Sequence, residues 1–262
     1  MDYIYALLLG IVQGLTEWLP ISSTGHLILT ERLFGLDPAT FNLTFDAAIQ
    51  LGTTAAVMFY FRQDLWNLVR HFRRPKERKL LAALVIATIP AIVFGLLLEN
   101  SIEGAFRQLE VIAGALFAGG IVFLVVERFA KKRKSAEQTT ALDAAIIGLA
   151  QAAALVPGVS RSGATIVAGM LLGLDRAEAA RFTFLLSIPI ILIAGGKKFL
   201  DVAQGGAEGR LDLILIGMVT AAIVGYLTIK FLLRYLARHR LDGFAYYRFL
   251  LAGVIVISLL AT

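Results

Sequence analysis

Cysteine is absent from the 262 residues, which excludes disulfides, thiolate metal sites and a cysteine nucleophile. Charge is sparse. Asp, Glu, Lys and Arg make up 17% of the chain, against 58% hydrophobic residues and a mean hydropathy of +0.77. A soluble domain is about 45–50% apolar, and no polar segment here is long enough to be a separate soluble domain. Nucleotide-binding glycine loops, dinucleotide fingerprints, HExxH and Cys/His zinc spacings are all missing, so function must rest on other residues. The first ten residues, MDYIYALLLG, lack Lys, Arg and a small-residue cleavage site, so a cleaved signal peptide is not expected.

What is abundant is apolar sequence, in runs of roughly 18–20 residues, the length that crosses about 30 Å of hydrocarbon. The pattern predicts an all-α, polytopic integral membrane protein with one membrane domain over 1–262. Six transmembrane helices are expected near 44–61, 80–98, 109–127, 182–199, 212–230 and 244–261. Residues 62–79 read as the longest loop. Three connections hold seven, five and four Lys/Arg (62–79, 128–142 and 230–243), whereas 99–107 and 200–211 hold one each. Positive-inside logic places the basic loops in the cytoplasm. The same bias accounts for a pI near 9.7 without nucleic acid as a partner.

Two further apolar segments, 3–34 and 143–173, are interrupted by polar text. The loops flanking 143–173 and the next two spans both belong inside, so this segment must enter and leave on one side, as a re-entrant helix–loop–helix hairpin. Its text, GLAQAAALVPGVSRSGATIV, parallels GIVQGLTEWLPISSTGHLIL in the first segment. Each has Gly then Gln (Gly10/Gln13, Gly148/Gln151), a proline, and a Ser-led tetrad ending in Gly (Ser22 to Gly25, Ser160 to Gly163). Two hairpins entering from opposite faces make an inverted repeat, about 1–127 and 143–262, with broken helices meeting near the midplane. Pro20 and Pro157 end one half-helix and the serines after them cap the next. Each break therefore offers a helix N-terminus to an anion.

Several residues there can do chemistry. Arg161 is a permanent cation at membrane depth, costly unless used, and its fork suits phosphate. Glu17 follows Gln13 by one helical turn, on the same face. His26, three residues after Ser23, falls beside a hydroxyl on a helix starting near Ser22, so Ser23, His26 and Glu17 could serve as nucleophile, base and orienter. Ser22, Ser160 and Ser162 are caps or phosphate ligands. Thr165 bonds either a helix carbonyl or a phosphate oxygen. Asp46 and Gln50 could face a cavity. Trp18 and Trp66 read as interfacial, and Tyr246-Tyr247-Arg248 as an interface anchor.

EWLPISSTGH with its upstream Gln13/Glu17, PGVSRSGAT, FDAAIQLGT and FTFLLSIP resemble the bacterial undecaprenyl-diphosphate phosphatases of the bacitracin-resistance type. The resemblance implies two inverted helical repeats with re-entrant hairpins in the bacterial cytoplasmic membrane, and an active site open to the outer, periplasmic side. It implies removal of the terminal phosphate from a polyprenyl diphosphate lipid, recycling the carrier for peptidoglycan synthesis, with a divalent cation (Mg²⁺ or Ca²⁺) as cofactor. By position it implies Glu17, Ser23, His26 and Arg161 as catalytic residues. Gln13, Ser22, Ser160, Arg161, Ser162 and Thr165 fall to substrate binding, and Glu17 with Gln13 to the metal. Gln13 stands where many members have Glu. Partners implied are the substrate and membrane lipid, with a homodimer left open. The rival reading is a secondary transporter, which shares the inverted repeat and midplane anion site but has no need of Ser-Ser-x-x-His beside a carboxylate.

Overall fold

The computed structural model describes residues 1–130, 134–135, 138–204 and 210–260. The basic loop 128–142 and the opposite connection 200–211 thus lie partly outside the described residues, as does the end of the last expected span. Among the described residues, regular structure is helical apart from an isolated pairing of Lys134 with Leu174. The first half contains α1 (Asp2–Thr16), α2 (Ser23–Leu33), α3 (Leu43–Tyr60), α4 (Arg62–Arg70), α5 (Pro75–Leu97), α6 (Glu99–Glu103), a 3₁₀ turn (Ala105–Arg107) and α7 (Leu109–Phe129). The second contains α8 (Ala141–Ala153), α9 (Arg161–Leu171), α10 (Arg176–Ala203), α11 (Leu211–Leu236) and α12 (Asp242–Leu260).

Every expected span is a helix. Five of them (α5, α7, α10, α11 and α12) are long and apolar enough to cross a membrane. The sixth, α3, is less apolar because it carries Asp46, Gln50, Thr53 and Thr54. It sits among α1, α10 and α11 rather than alone, and Thr53 and Thr54 return their hydroxyls to the Gln50 carbonyl at 2.8 and 3.0 Å.

The stretch 62–79 is not a loop. RQDLWNLVR has no Gly or Pro to break it. Leu65 and Leu68, three residues apart, pack on the core while Trp66 and Val69 stay exposed, so it closes as the amphipathic α4. Pro75 then opens α5 at its first turn, where its missing N–H costs nothing.

Helix pairing follows a two-part pattern. α1 packs along α11 and α8 along α5, while α3 meets α10 and α7 meets α12. Small residues permit the first two contacts. A Cβ on Gly10 would lie 2.6 Å from the Gly217 carbonyl oxygen, and one on Gly148 would lie 2.6 Å from that of Ala87. Packed side chains rather than surface aromatics fill the centre: Trp18, expected at the interface, is 1% exposed and meets the Phe184 ring edge-on at 5.0 Å. Trp66, by contrast, is exposed.

Candidate active site

The polar breaks between α1 and α2 and between α8 and α9 fold alike. Each second half-helix is capped by its serine: Ser22 Oγ accepts the Gly25 amide at 3.3 Å, and Ser160 Oγ accepts that of Gly163 at 3.2 Å. Both serines have positive φ, 74° and 71°, and among the described residues no other non-glycine does. Such backbone costs on the order of 1–3 kcal/mol per residue and persists only where the surroundings fix it. Here they do, because Ser22 Oγ also accepts the Gly158 amide at 3.0 Å and so ties the first break to the second.

This junction assembles a charged cluster. Glu17 follows the last turn of α1, its backbone still helical. Its Oε2 accepts from Ser23 Oγ at 2.7 Å and from Gln13 Nε2 at 2.9 Å. Its Oε1 accepts from Arg161 Nη2, the first residue of α9. Glu17 is 6% exposed. A buried carboxylate needs such partners, since an unpaired one would be strongly destabilised. Ser23 and Arg161 occupy the same place in their half-helices, each directly after the positive-φ serine. The two breaks thus bring a hydroxyl and a guanidinium to one carboxylate.

The cluster lines a cavity of about 370 Å³. Glu17, Ser22, Ser23, Ser160 and Arg161 are all on its wall. The α5 wall includes Ala91, Ile92 and Gly95, and the α10 wall includes Ile190, Ile191 and Ala194. Both wall segments follow a proline inside the helix, Pro90 and Pro189, where the carbonyl ladder loses a donor. Gln50, Glu99, Arg107, Lys197 and Lys198 also line the cavity.

Other expected site residues stand elsewhere. His26 is not on the cavity wall. Its Nδ1 lies 2.7 Å from the Ser22 carbonyl oxygen, not from a serine hydroxyl, and its Nε2 lies 2.7 Å from Tyr247 Oη. The carbonyl can only accept, so Nδ1 donates to it, and in the neutral ring Nε2 then accepts from the tyrosine. Ser162 and Thr165 lie beneath the loop: Ser162 Oγ donates to the Leu19 carbonyl at 3.1 Å, and Thr165 Oγ1 donates to that of Arg161 at 2.8 Å while accepting from Thr183. Gln13 is fully buried behind Glu17 and its Oε1 has no partner. Gln50 does face the cavity. Asp46 sits behind it, 3.1 Å from Arg107.

Sequence reasoning missed Arg107, Lys197 and Lys198, which lie in connections or at a helix end far from either motif. It also misread Arg248. Rather than anchoring at an interface, Arg248 is 0% exposed and donates to carbonyls of both breaks. An arginine four residues into a long apolar run was the available signal.

Residues 6–254 match the family described as bacitracin resistance protein BacA. The chain belongs to this family. Among its curated relatives, undecaprenyl-diphosphatase of Rubrobacter xylanophilus is 48% identical over 271 residues, covering 99% of each chain. The protein of the same name from Thermodesulfovibrio yellowstonii is 44% identical over 97% of each. That of Corynebacterium glutamicum is 40% identical over 100% of this chain and 92% of its own. Family membership thus spans both broken segments and the helices that carry the cavity walls.

Proposed function

We propose that this chain hydrolyses undecaprenyl diphosphate to undecaprenyl phosphate and phosphate. Family membership supports the substrate. The observation that carries the chemistry is the hydrogen bond from Ser23 Oγ to Glu17 at 2.7 Å, with Arg161 on the other carboxylate oxygen, at the wall of a cavity. Glu17 replaces His26 as the base in this reading. Transport would require an anion site but no hydroxyl held against a carboxylate.

The terminal phosphate lies against Arg161 and the amide ends of α2 and α9. Ser23 Oγ bonds to the terminal phosphorus as its proton passes to Glu17, and the bond from phosphorus to the bridging oxygen breaks. Glu17 gives the proton to the departing lipid phosphate. Water then cleaves the phosphoserine, releasing phosphate and restoring the hydroxyl. Arg161 and the helix amides stabilise the charge that builds on the phosphoryl oxygens.

A divalent cation fits beside this cluster on one observation, the unpartnered buried Oε1 of Gln13 next to Glu17. Gln13 and Glu17 would hold Mg²⁺ or Ca²⁺ through their oxygens. No group of three or more His, Asp or Glu able to hold a metal occurs among the described residues. When bound, the ion offsets phosphoryl charge.

The membrane arrangement we propose is six spans and two re-entrant hairpins, α1–α2 and α8–α9, as an inverted repeat. Three features support it: the paired contacts of α1 with α11 and α8 with α5, the matching serine caps, and the shared positive φ. Leu96 and Glu99 at the C-terminal end of α5, and Lys197 and Lys198 near that of α10, line the cavity, and charge counting assigns these helix ends to the outside, which supports a site open to the periplasmic face.

The direct test is phosphate release from a polyprenyl diphosphate by purified protein in detergent. Release above a heat-inactivated control is expected; its absence favours transport. For topology, the lack of native cysteine permits single-cysteine labelling. Ser135→Cys and Ala237→Cys should react with an impermeant thiol reagent only after the cytoplasmic face is exposed, and Gln204→Cys should react in intact spheroplasts. Labelling of Ala237→Cys from outside would refute the re-entrant 143–173 segment.

His26 is expected to act through the Ser22 carbonyl. His26→Asn keeps an N–H donor near that oxygen and has no titratable ring. Its kcat should fall less than about tenfold with an unchanged pH–rate profile, whereas loss of a true acid–base group costs about 10²–10⁴-fold.

A further inference from the structure

The breaks present amide ends to the cavity, but they also contain bare carbonyls whose charge opposes an anion. Where those carbonyls go is a strict accounting question. Three of them, on Pro20, Gly158 and Val159, end on one residue of a distant helix, Arg248 of α12. Nη1 donates to Pro20 and Val159, each at 3.2 Å, and Nη2 donates to Gly158 at 2.8 Å. The remaining contacts bind α7: Nε to the Leu116 carbonyl at 3.2 Å and Nη2 to that of Ala115 at 3.1 Å. Five N–H donors thus meet five carbonyls, the full capacity of a guanidinium. The group also lies 5.0 Å from the Phe123 ring centroid.

Resting on the reading of Glu17, Ser23 and Arg161 as the active site, we propose that Arg248 is a positioning residue that sets the register of the two broken segments. It pins both breaks to one helix, α7, and draws their carbonyls away from the cavity. The Glu17–Arg161 pair and the Ser23–Glu17 hydrogen bond span this junction. The chemistry requires the hydroxyl of one half and the guanidinium of the other to meet the same phosphate. A misplacement of about 1 Å in such a constellation costs about 10²-fold. Arg248 does not touch the cavity and is not a catalytic residue.

A glycine provides a second handle on the same interaction. Gly119 of α7 faces the guanidinium, and a Cβ there would lie 2.0 Å from Arg248 Nη2. Gly119→Ala therefore displaces the guanidinium while leaving Arg248 in the chain. Gly114, on the same helix, has open space at its Cβ position, so Gly114→Ala controls for the glycine change itself.

The test compares kcat and KM for phosphate release, per folded molecule, in wild type, Gly119→Ala, Arg248→Lys and Gly114→Ala. Lysine keeps the charge but has three donors and no planar fork. Gly119→Ala and Arg248→Lys are expected to lower kcat about 10²-fold while KM changes less than about threefold, because alignment rather than binding is lost. Gly114→Ala should match wild type. The proposal is overturned if Gly119→Ala turns over at the wild-type kcat, or if its loss disappears once rates are divided by the folded fraction. Should Arg248→Lys fail to fold, Gly119→Ala decides alone. An inactive wild type would instead remove the phosphatase reading on which the proposal rests.

Discussion

Glu17→Gln should lower kcat for phosphate release by about 10³-fold, within the range of about 10²–10⁴ for loss of a positioned base. The amide is nearly isosteric. It can still accept from Ser23 through its oxygen, but it cannot take the proton, and its NH₂ would confront Arg161 where a carboxylate oxygen accepted. With Gln13 already neutral, the first break would have no anion left. Ser23→Ala should cost a similar factor, and the double variant little beyond the worse single one, as expected when two groups serve one step. Steady-state phosphate release from a short-chain polyprenyl diphosphate, across a Mg²⁺ and Ca²⁺ titration, reads all three. Normal turnover by Ser23→Ala would mean that water attacks directly. Unchanged turnover and metal response in Glu17→Gln would remove Glu17 from both roles. Gln13→Glu should be tolerated, since it only adds a carboxylate beside Glu17.

The parts of this site that could be read from sequence are those fixed by local periodicity. Gln13 and Glu17 are one turn apart on a single half-helix, and their hydrogen bond follows from that spacing. The serine caps follow from a polar tetrad after a proline, and the structure places Ser22 and Ser160 as N-caps. Six helices follow from apolar run length. Repetition of the motif carried more than either copy alone: it aligned Ser23 with Arg161, and the structure brings both onto Glu17.

What could not be read depends on contacts far apart in the chain. His26 was set beside a serine by its i, i+3 and i, i+4 spacing. That spacing does bring its ring to residue 22, but to the carbonyl, because Tyr247, 221 residues away, occupies the other nitrogen. Arg248 looked like a cation at the membrane surface. Only α7 and the two breaks, folded around it, provide five carbonyls that make its burial tolerable. Trp18 was misplaced for a related reason: α10 supplies Phe184 to cover it. The basic part of the cavity lining was hidden because Arg107 and the two lysines lie outside both broken segments and outside the quoted motifs.

Arg161→Lys tests whether the second break contributes shape as well as charge. Arg161 Nη2 is bound to Glu17 while the residue lines the cavity. A planar fork can hold a carboxylate and a phosphate oxygen at once, whereas a single ammonium must bridge them from one point. Lysine should therefore retain attraction for the diphosphate but lose the arrangement that stabilises its transition state. The expected loss in kcat is about 10²–10³-fold, typical of one preorganised donor, with a smaller rise in KM. Folding should be little affected, because the cap of α9 is the Ser160 hydroxyl, not the arginine. A thermal unfolding midpoint in detergent near that of wild type would confirm this. Near-normal turnover would show that Arg161 serves only to neutralise Glu17. A paired loss of stability and activity would assign it to holding the two breaks together. Full stability with a collapsed kcat is the outcome that places its guanidinium on the transferring phosphate.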